Sequence, residues 1–204
     1  MITIKSSSET EIAIKKSRFL GLACRAGSEE AVQRVLEQRR KQHYDARHHC
    51  YAYILESGVM RYSDDGEPQG TAGVPMLEVL KKSGLTDVIV VSTRYFGGTL
   101  LGAGGLVRAY TQSAADTLAA AKRMQRIECG IFQCRFEFAT WARAEKALAS
   151  LGFTPGEMQY ADAVTVDYCV HPGEEDRLTQ AVINITQGKT SPVPLGTRTV
   201  EIEL

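Results

Sequence analysis

Short apolar runs alternate with polar segments through residues 1–125, and their spacing predicts strands interleaved with helices. Runs with period two, or bounded by turn residues, predict strands at residues 11–14, 18–25, 49–56, 59–63 and 88–95. Apolar positions at helical spacing predict helices at residues 29–41, 74–83 and 105–123, the first of them capped by Ser28. This half is therefore expected to be a β-rich α+β domain.

Residues 126–204 show a simpler order. The pattern predicts strands at residues 128–138, 153–160, 163–170 and 197–203, and helices at residues 140–151 and 173–187. That order, βαββαβ, is typical of the ferredoxin-like fold. No Pro/Gly/Ser-rich linker separates the halves, so we place the boundary near Gln125 and predict an α+β protein with domains at residues 1–125 and 126–204.

Composition narrows the class of protein without indicating a chemistry. The 204 residues include 24 Lys and Arg and 24 Asp and Glu, so no chain-wide attraction to nucleic acid or membrane follows. There is no apolar stretch of about 18 residues and no signal-peptide pattern at the start. The five cysteines are scattered without a C-x-x-C pair, which favours free thiols over disulfides or zinc. We expect a cytoplasmic protein without a membrane partner.

The segment DARHHCYAY, residues 45–53, combines basic and aromatic residues on a predicted strand. Period two places one set of side chains on one face: Arg47, His49, Tyr51 and Tyr53. Such a face suits the stacking of nucleic-acid bases, and the nearby KKSRFL segment adds Arg18. The alternative is a strand half buried against a helix, with tyrosines in the core. His48 points to the opposite face from His49, which argues against one metal binding both.

The segment SDDGEPQGTAG, residues 63–73, crowds three carboxylates into four positions: Asp64, Asp65 and Glu67. Carboxylates this close repel one another unless a cation neutralises their charge, so a magnesium or calcium site is one hypothesis. The spacing excludes an EF-hand loop. A turn in which the aspartates accept backbone hydrogen bonds is the alternative.

The segment VIVVSTRYFGGTLLGAGGLVRAY, residues 88–110, predicts a strand, a glycine-rich loop and a helix. The strand ends in Arg94 and Tyr95, and the helix carries Arg108 in its first turn. The loop contains five glycines: Gly97, Gly98, Gly102, Gly104 and Gly105. Backbone amides in such a loop, next to a helix N-terminus, can bind phosphate. The sequence matches neither a Walker A loop nor G-x-G-x-x-G, and a tight strand-to-helix crossing is an equal alternative.

These three segments, in this order, resemble the IMPACT/YigZ family, and the resemblance extends through the βαββαβ half. It implies an N-terminal domain of the type found in a small-subunit ribosomal protein and in elongation factor G, followed by a ferredoxin-like domain. Eukaryotic relatives are tied to translation initiation through competition for an activator of a starvation-sensing kinase. We do not expect that regulation here, because the sequence lacks a match to their extra N-terminal domain. For bacterial members the resemblance implies cytosolic proteins with an RNA- or nucleotide-related role.

The leading functional hypothesis is a translation-associated protein that binds RNA or the ribosome through the first domain. The expected contacts are basic, aromatic and glycine residues of the motifs: Arg18, Arg47, His48, His49, Tyr51, Arg94, Tyr95, Gly97, Gly98, Gly102, Gly104, Gly105 and Arg108. One alternative is a magnesium-dependent enzyme acting on a nucleotide or another phosphorylated small molecule. Its metal would be held by the three carboxylates, with His48 or His49 as acid or base. A second alternative is a module that docks a protein partner.

Overall fold

A computed structural model describes residues 1–204, which fold into two compact units. Unit 1 comprises residues 1–125 with 202–204, and unit 2 comprises residues 126–201. The strands are β1 (Ile2–Ile4), β2 (Ser8–Ile14), β3 (Ser17–Arg25), β4 (His48–Ile54), β5 (Met60–Ser63), β6 (Val88–Tyr95), β7 (Arg123–Phe136), β8 (Pro155–Tyr160), β9 (Val164–Val170) and β10 (Val193–Glu203). The helices are α1 (Glu29–Gln42), α2 (Gly73–Ser83), α3 (Ala103–Ala120), α4 (Phe138–Ser150) and α5 (Glu175–Thr186).

Unit 1 is built on an antiparallel sheet in the order β2-β3-β6-β4-β5. Helices cover both faces. On one face Cys50 and Val90 pack with residues of α2 and α3, and on the other Tyr53 and Ile89 pack with Val32 of α1. The central strand β6 and its neighbour β4 therefore have buried residues on both faces, which explains the unbroken apolar run of β6.

Local signals in the sequence account for several element ends. The Ser28 hydroxyl accepts a hydrogen bond from the Ala31 amide at 3.2 Å and caps α1. Gly84 ends α2 in the left-handed conformation, with φ of 70°. Close packing of α3 on the sheet depends on Gly21, because a Cβ atom there would lie 1.9 Å from the Thr117 hydroxyl. One of these signals is a side-chain hydrogen bond, and the other two depend on glycine having no side chain.

Unit 2 consists of most of β7, then α4, β8, β9, α5 and most of β10. β9 lies between β7 and β8, and β10 also pairs with β7. Alternate residues of β9, including Val164, Val166 and Tyr168, pack with Leu148 of α4 and Leu178 of α5. The chain is thus a mixed α+β protein with two five-stranded sheets and five helices. None of these helices is long and apolar enough to cross a bilayer.

The structure corrects some predicted bounds. β1 was absent from the predicted elements, and it pairs with the start of β7 within unit 1, Ile4 opposite Arg123. β7 itself begins five residues before the predicted strand. α3 begins at Ala103, so Gly104 and Gly105 belong to the helix and not to the preceding loop. Arg108 consequently lies in the second turn of α3.

Candidate functional site

The histidine-containing strand and the glycine-rich loop meet at one place in unit 1. β4 and β6 are antiparallel neighbours, and His48, the first residue of β4, is directly opposite Arg94 near the end of β6. A cleft of about 370 Å³ lies there. Its lining comes from all three motifs: Arg47, His48, Glu67, Pro68, Arg94, Phe96, Leu100, Leu101, Gly102, Ala103 and Leu106. We call this the motif cleft.

A buried ion pair forms the inner wall of the motif cleft. Arg94 Nη1 donates to Glu67 Oε1 at 2.6 Å, and the two side chains are only 6% and 4% exposed. The Tyr110 hydroxyl donates to the same carboxylate oxygen at 2.8 Å. The Arg94 guanidinium also lies 5.5 Å from the Phe19 ring centroid and 5.6 Å from that of Phe96. Arg94 is therefore paired with Glu67. The arginine is not available to bind RNA phosphate, and the carboxylate is not available to bind a metal ion.

Asp64 holds the chain at the start of α2. Its carboxylate accepts hydrogen bonds from three backbone amides, of Gly70 at 2.9 Å, Ala72 at 2.9 Å and Gly73 at 2.8 Å. Burial alone would raise the pKa of Asp64, but these three hydrogen bonds outweigh it and lower the pKa. The carboxylate thus occupies the anion-binding position that the N-terminus of α2 provides.

Asp65 connects the turn to β4. Its side chain accepts from the His49 backbone amide at 2.6 Å and from Arg40 at 3.2 Å. Its carbonyl oxygen is 2.8 Å from His48 Nδ1, which must donate, because a carbonyl oxygen only accepts. His48 therefore keeps Nε2 for another partner.

The metal hypothesis is not supported by this geometry. Asp64, Asp65 and Glu67 each face a different protein partner, so they do not converge on a common point. No group of three or more His, Cys, Asp or Glu side chains in the chain is arranged to hold a metal ion. Asp64 and Asp65 accept backbone hydrogen bonds, as in the alternative interpretation, and Glu67 accepts from the side chains of Arg94 and Tyr110.

Arg47 precedes β4 and lines the motif cleft with His48, and the rest of the predicted basic and aromatic face lies on the α1 side of the sheet and is not a platform for bases. His49 is buried, and its Nδ1 lies 3.2 Å from the Thr93 hydroxyl. Burial lowers the pKa of His49. Tyr53 is buried and donates to Glu29 at 2.7 Å, while the half-buried Tyr51 stacks on it with ring centroids 6.3 Å apart. The half-buried alternative describes this strand better.

Arg18 and Tyr95 also lie on the face away from the motif cleft. They are directly opposite each other on β3 and β6, one position along from the Phe19–Arg94 pair, so their side chains point the other way. Arg18 forms a two-bond ion pair with Glu11, at 2.6 and 3.0 Å, and lies over the Tyr95 ring. The Tyr95 hydroxyl donates to Asp45 at 2.9 Å. The structure therefore divides the predicted contact residues between two faces of the sheet.

The glycines of the loop meet different structural requirements, one a close approach of two backbone segments and the others a positive φ angle. A Cβ at Gly97 would lie 2.0 Å from the backbone of Lys16, so this glycine allows the loop to touch the β2–β3 turn. Gly98 and Gly102 have φ of 81° and 70°, which a side chain would strain. Gly102 is the residue before α3, and no side chain caps that helix. The first backbone amides of α3, beside the cleft, therefore have no side-chain hydrogen-bond acceptor.

Two arginines flank this uncapped end of α3. Arg47 lines the motif cleft and is exposed, and it makes no ion pair or hydrogen bond within the chain. Arg108 is likewise exposed and without an acidic partner, and its guanidinium lies 3.8 Å from where a Gly104 Cβ would be. These are the two predicted basic contacts that the fold leaves available to a ligand.

The apolar part of the motif cleft was not among the predicted contact residues. Phe96 is 47% exposed and Leu100 is 82% exposed, both within the glycine-rich loop. Phe96 and Leu100 lie on either side of the Gly97–Gly98 pair, and no periodic pattern assigns them to a core, which was a visible signal. Pro68, next to Glu67, was also not considered.

Comparison with known proteins identifies the family. The model of the Impact N-terminal domain matches residues 15–118, which include all three motifs. The chain is 38% identical to IMPACT family member YvyE of Bacillus subtilis over 190 residues, covering 92% of this chain and 88% of that protein. It is 48% identical to IMPACT family member YigZ of Escherichia coli over 101 residues, covering 48% of this chain and 50% of that protein. A crystal structure of a hypothetical protein superposes with a TM-score of 0.62 at 28% identity, over 94% of this chain and 95% of the other. This chain belongs to the IMPACT family.

Proposed function

We propose that this chain is a cytosolic, translation-associated protein that binds RNA or the ribosome through the motif cleft and its rim. The observation that carries the proposal is the pair of exposed, unpartnered arginines, Arg47 and Arg108, beside the uncapped N-terminus of α3. An RNA-related role in translation is what the family resemblance favours for this chain, and binding at this surface is how the chain would take part in it.

Charge at the rim favours a phosphate backbone over a neutral ligand. Unpaired guanidinium groups and free helix-terminal amides are the groups that most often contact phosphate oxygens. The exposed Lys16 adds a cation, since the turn that carries it touches the loop at Gly97. Glu67 does not oppose this charge strongly, because its carboxylate is neutralised by Arg94.

The exposed ring of Phe96 adds a surface for an unstacked base. One contact of this ring is the Arg94 guanidinium, at 5.6 Å, and nearly half of the side chain remains open to solvent. Aromatic side chains next to cations are the usual platforms for single-stranded bases. Single-stranded loops of structured RNA are therefore favoured over uniform duplex.

The test is a salt series of binding to structured RNA and to ribosomes, with the full-length Arg47→Ala/Arg108→Ala variant beside the wild type. Each phosphate contact contributes about 0.7–0.9 to the slope of log affinity against log salt. Loss of two contacts should weaken binding and reduce the slope by about 1.4–1.8. A matched control, Lys81→Ala/Lys82→Ala, removes the same charge from the last turn of α2 and should leave the slope unchanged.

The outcomes separate the hypotheses. Equal slopes for wild type and the double arginine variant would refute binding at this surface. Absence of RNA and ribosome binding at low salt would refute the proposal and leave the two alternatives, an enzyme acting on a nucleotide or another phosphorylated small molecule and a module that docks a protein partner. Arg94 is left intact, because its truncation would break the buried pair with Glu67 and confuse a binding defect with a folding defect.

We also propose the domain types that the resemblance implies. Unit 2 supports a ferredoxin-like domain through its βαββαβ order, with β9 between β7 and β8 and β10 on β7. We propose that residues 1–125 and 126–204 fold independently, the first as a domain of the ribosomal-protein and elongation-factor-G type. Near-UV circular dichroism of residues 126–204 should show a fixed environment for Trp141, which packs on Phe136 with ring centroids 5.6 Å apart. A flat near-UV spectrum would refute the division.

A further inference from the structure

One of the five cysteines is exposed, and it lies in a cleft of its own in unit 2. Cys169 is the last residue but one of β9, and it is exposed, whereas Cys50, Cys129 and Cys134 are buried and Cys24 is half-buried. The cleft has a volume of about 460 Å³, and His171 and Arg198 also line it. A small reagent can therefore reach the Cys169 sulfur from solvent.

A second thiol lies next to Cys169 on the neighbouring strand. β7 and β9 pair up to Gly130 and Val170, with Ile131 opposite Cys169. Extending this register by one residue places Cys129 opposite His171 and diagonal to Cys169, on the same face of the sheet. Burial, together with a hydrogen bond to the Cys169 thiol, raises the pKa of Cys129. The two sulfurs are thus neighbours, one exposed and one covered.

We propose that Cys169 and Cys129 form a reversible oxidation site that reacts with a hydroperoxide and closes to a disulfide. In the first step the Cys169 sulfur attacks the peroxide, the O–O bond breaks, an S–O bond forms, and water or an alcohol leaves. In the second step the Cys129 sulfur attacks the Cys169 sulfenic acid, the S–S bond forms, and the hydroxyl group leaves with the Cys129 proton as water. A small dithiol reverses the reaction by exchange.

Strand geometry allows this bond with a small movement. Diagonal positions on antiparallel strands are about 7–8 Å apart between Cα atoms, beyond the usual upper limit of about 6.8 Å for a disulfide, so the backbone must shift for the bond to form. Cys129 and His171 lie one position beyond the last β7–β9 pair, Gly130 with Val170, so no further pair of the ladder has to break for the backbone to shift there. The required shift is therefore local to the end of the ladder.

The other thiols provide an internal comparison. Burial raises the pKa of Cys134 to about 12 and also raises the pKa of Cys24 and Cys50. A buried thiol with a raised pKa has little thiolate and no path to the oxidant, so it reacts slowly with the peroxide. Cys129 is also buried, but it needs only to reach the sulfur of Cys169 beside it. Oxidation should begin at Cys169 alone.

The experiment treats the full chain with hydrogen peroxide, quenches, unfolds the protein, and counts alkylated thiols by mass spectrometry. Of the five thiols, three should remain in the wild type, with a Cys129–Cys169 linked peptide, and dithiothreitol should restore all five. Cys129→Ala should instead accumulate a sulfenic acid on Cys169 that dimedone traps, because no neighbour resolves it. Cys169→Ala should lose no thiol on the same timescale. Cys24→Ala, the matched control, should still lose two thiols.

The thiol count and the linked peptide are measured in the wild-type protein, so the proposal can be refuted even if a cysteine variant fails to fold. An unchanged count of five thiols, a disulfide between other cysteines, or direct passage of Cys169 to the irreversible sulfinic acid would each overturn it. Rapid thiol loss in Cys169→Ala would also overturn it, because oxidation would then start elsewhere.

Discussion

Replacement of Glu67 by alanine should destabilise unit 1 by removing the only charged partner of Arg94. The guanidinium would keep one long side-chain hydrogen bond, to the Ser17 hydroxyl at 3.4 Å, and its contacts with two aromatic rings. Tyr110 would lose its acceptor. Breaking a buried ion pair from one side typically costs about 3–5 kcal/mol. Because Glu67 and Arg94 line the motif cleft, water can enter and hydrate the guanidinium, so we expect the lower end, about 3 kcal/mol.

The assay is urea unfolding followed by far-UV circular dichroism. With a slope of about 2 kcal/mol per molar urea, a loss of about 3 kcal/mol lowers the midpoint by about 1.5 M. Trp141 fluorescence, which reports on unit 2, provides an internal reference. Glu67→Gln should lose less, since an amide oxygen can still accept from Tyr110 and Arg94.

Glu11→Ala is the matched control. Glu11 and Arg18 form the same kind of pair with equally short contacts, 2.6 and 3.0 Å, but both side chains are about half exposed. Water replaces the lost partner there, so the midpoint should change little. If Glu67→Ala shifts the midpoint no more than Glu11→Ala, burial is not what makes the Glu67–Arg94 contact important, and the reasoning fails.

Two further predictions concern the turn before α2 and the glycine-rich loop. Asp64→Asn should lower the free energy of unfolding by about 1–3 kcal/mol, because a neutral amide oxygen replaces a carboxylate that holds three backbone amides. Since the folded-state pKa of Asp64 is lowered, its contribution is complete above the unfolded pKa of about 3.9 and is lost as pH falls through the folded value. In urea titrations between pH 5 and 2, the free energy of unfolding should therefore fall less for Asp64→Asn than for the wild type. Identical pH profiles would contradict this. Gly97→Ala should lower the melting temperature more than Gly98→Ala. A Cβ atom at Gly97 would lie 2.0 Å from the Lys16 backbone, whereas one at Gly98 would meet nothing within 4 Å and would add only the strain of φ 81°. An equal loss would show that the loop can move away from the turn.

Local signals allowed much of the fold to be predicted. β6 was predicted with the bounds it has, Val88–Tyr95, because its apolar run is bounded by turn residues and has no competing pattern. Ser28 was predicted as the cap of α1, and its hydroxyl does cap that helix. The start of α3 was placed two residues late, since Gly104 and Gly105 have low helix propensity and tertiary packing overrides it.

Pairings between distant residues could not be predicted. Arg94 was expected to contact RNA and Glu67 to bind a metal, yet the two bind each other across 27 positions of sequence. β1 was missed for the same reason, because its partner residues lie more than 115 positions away at the start of β7. The common location of the histidine strand and the glycine-rich loop depends on β4 pairing with β6, which no local pattern encodes.

The opposite orientation of two adjacent histidines makes each of them a separate spectroscopic reporter. His48 lines the motif cleft with its Nδ1 held by the Asp65 carbonyl, so the chemical environment of its Nε2 should respond when a ligand enters. His49 lies on the α1 side of the sheet against Thr93, so its imidazole resonances should stay constant when a ligand binds. Burial lowers the pKa of His49, so these resonances should titrate at a lower pH than those of an exposed histidine. Imidazole NMR of the unmodified protein can thus distinguish a ligand in the cleft from a disturbance of the sheet, with both signals read from one sample.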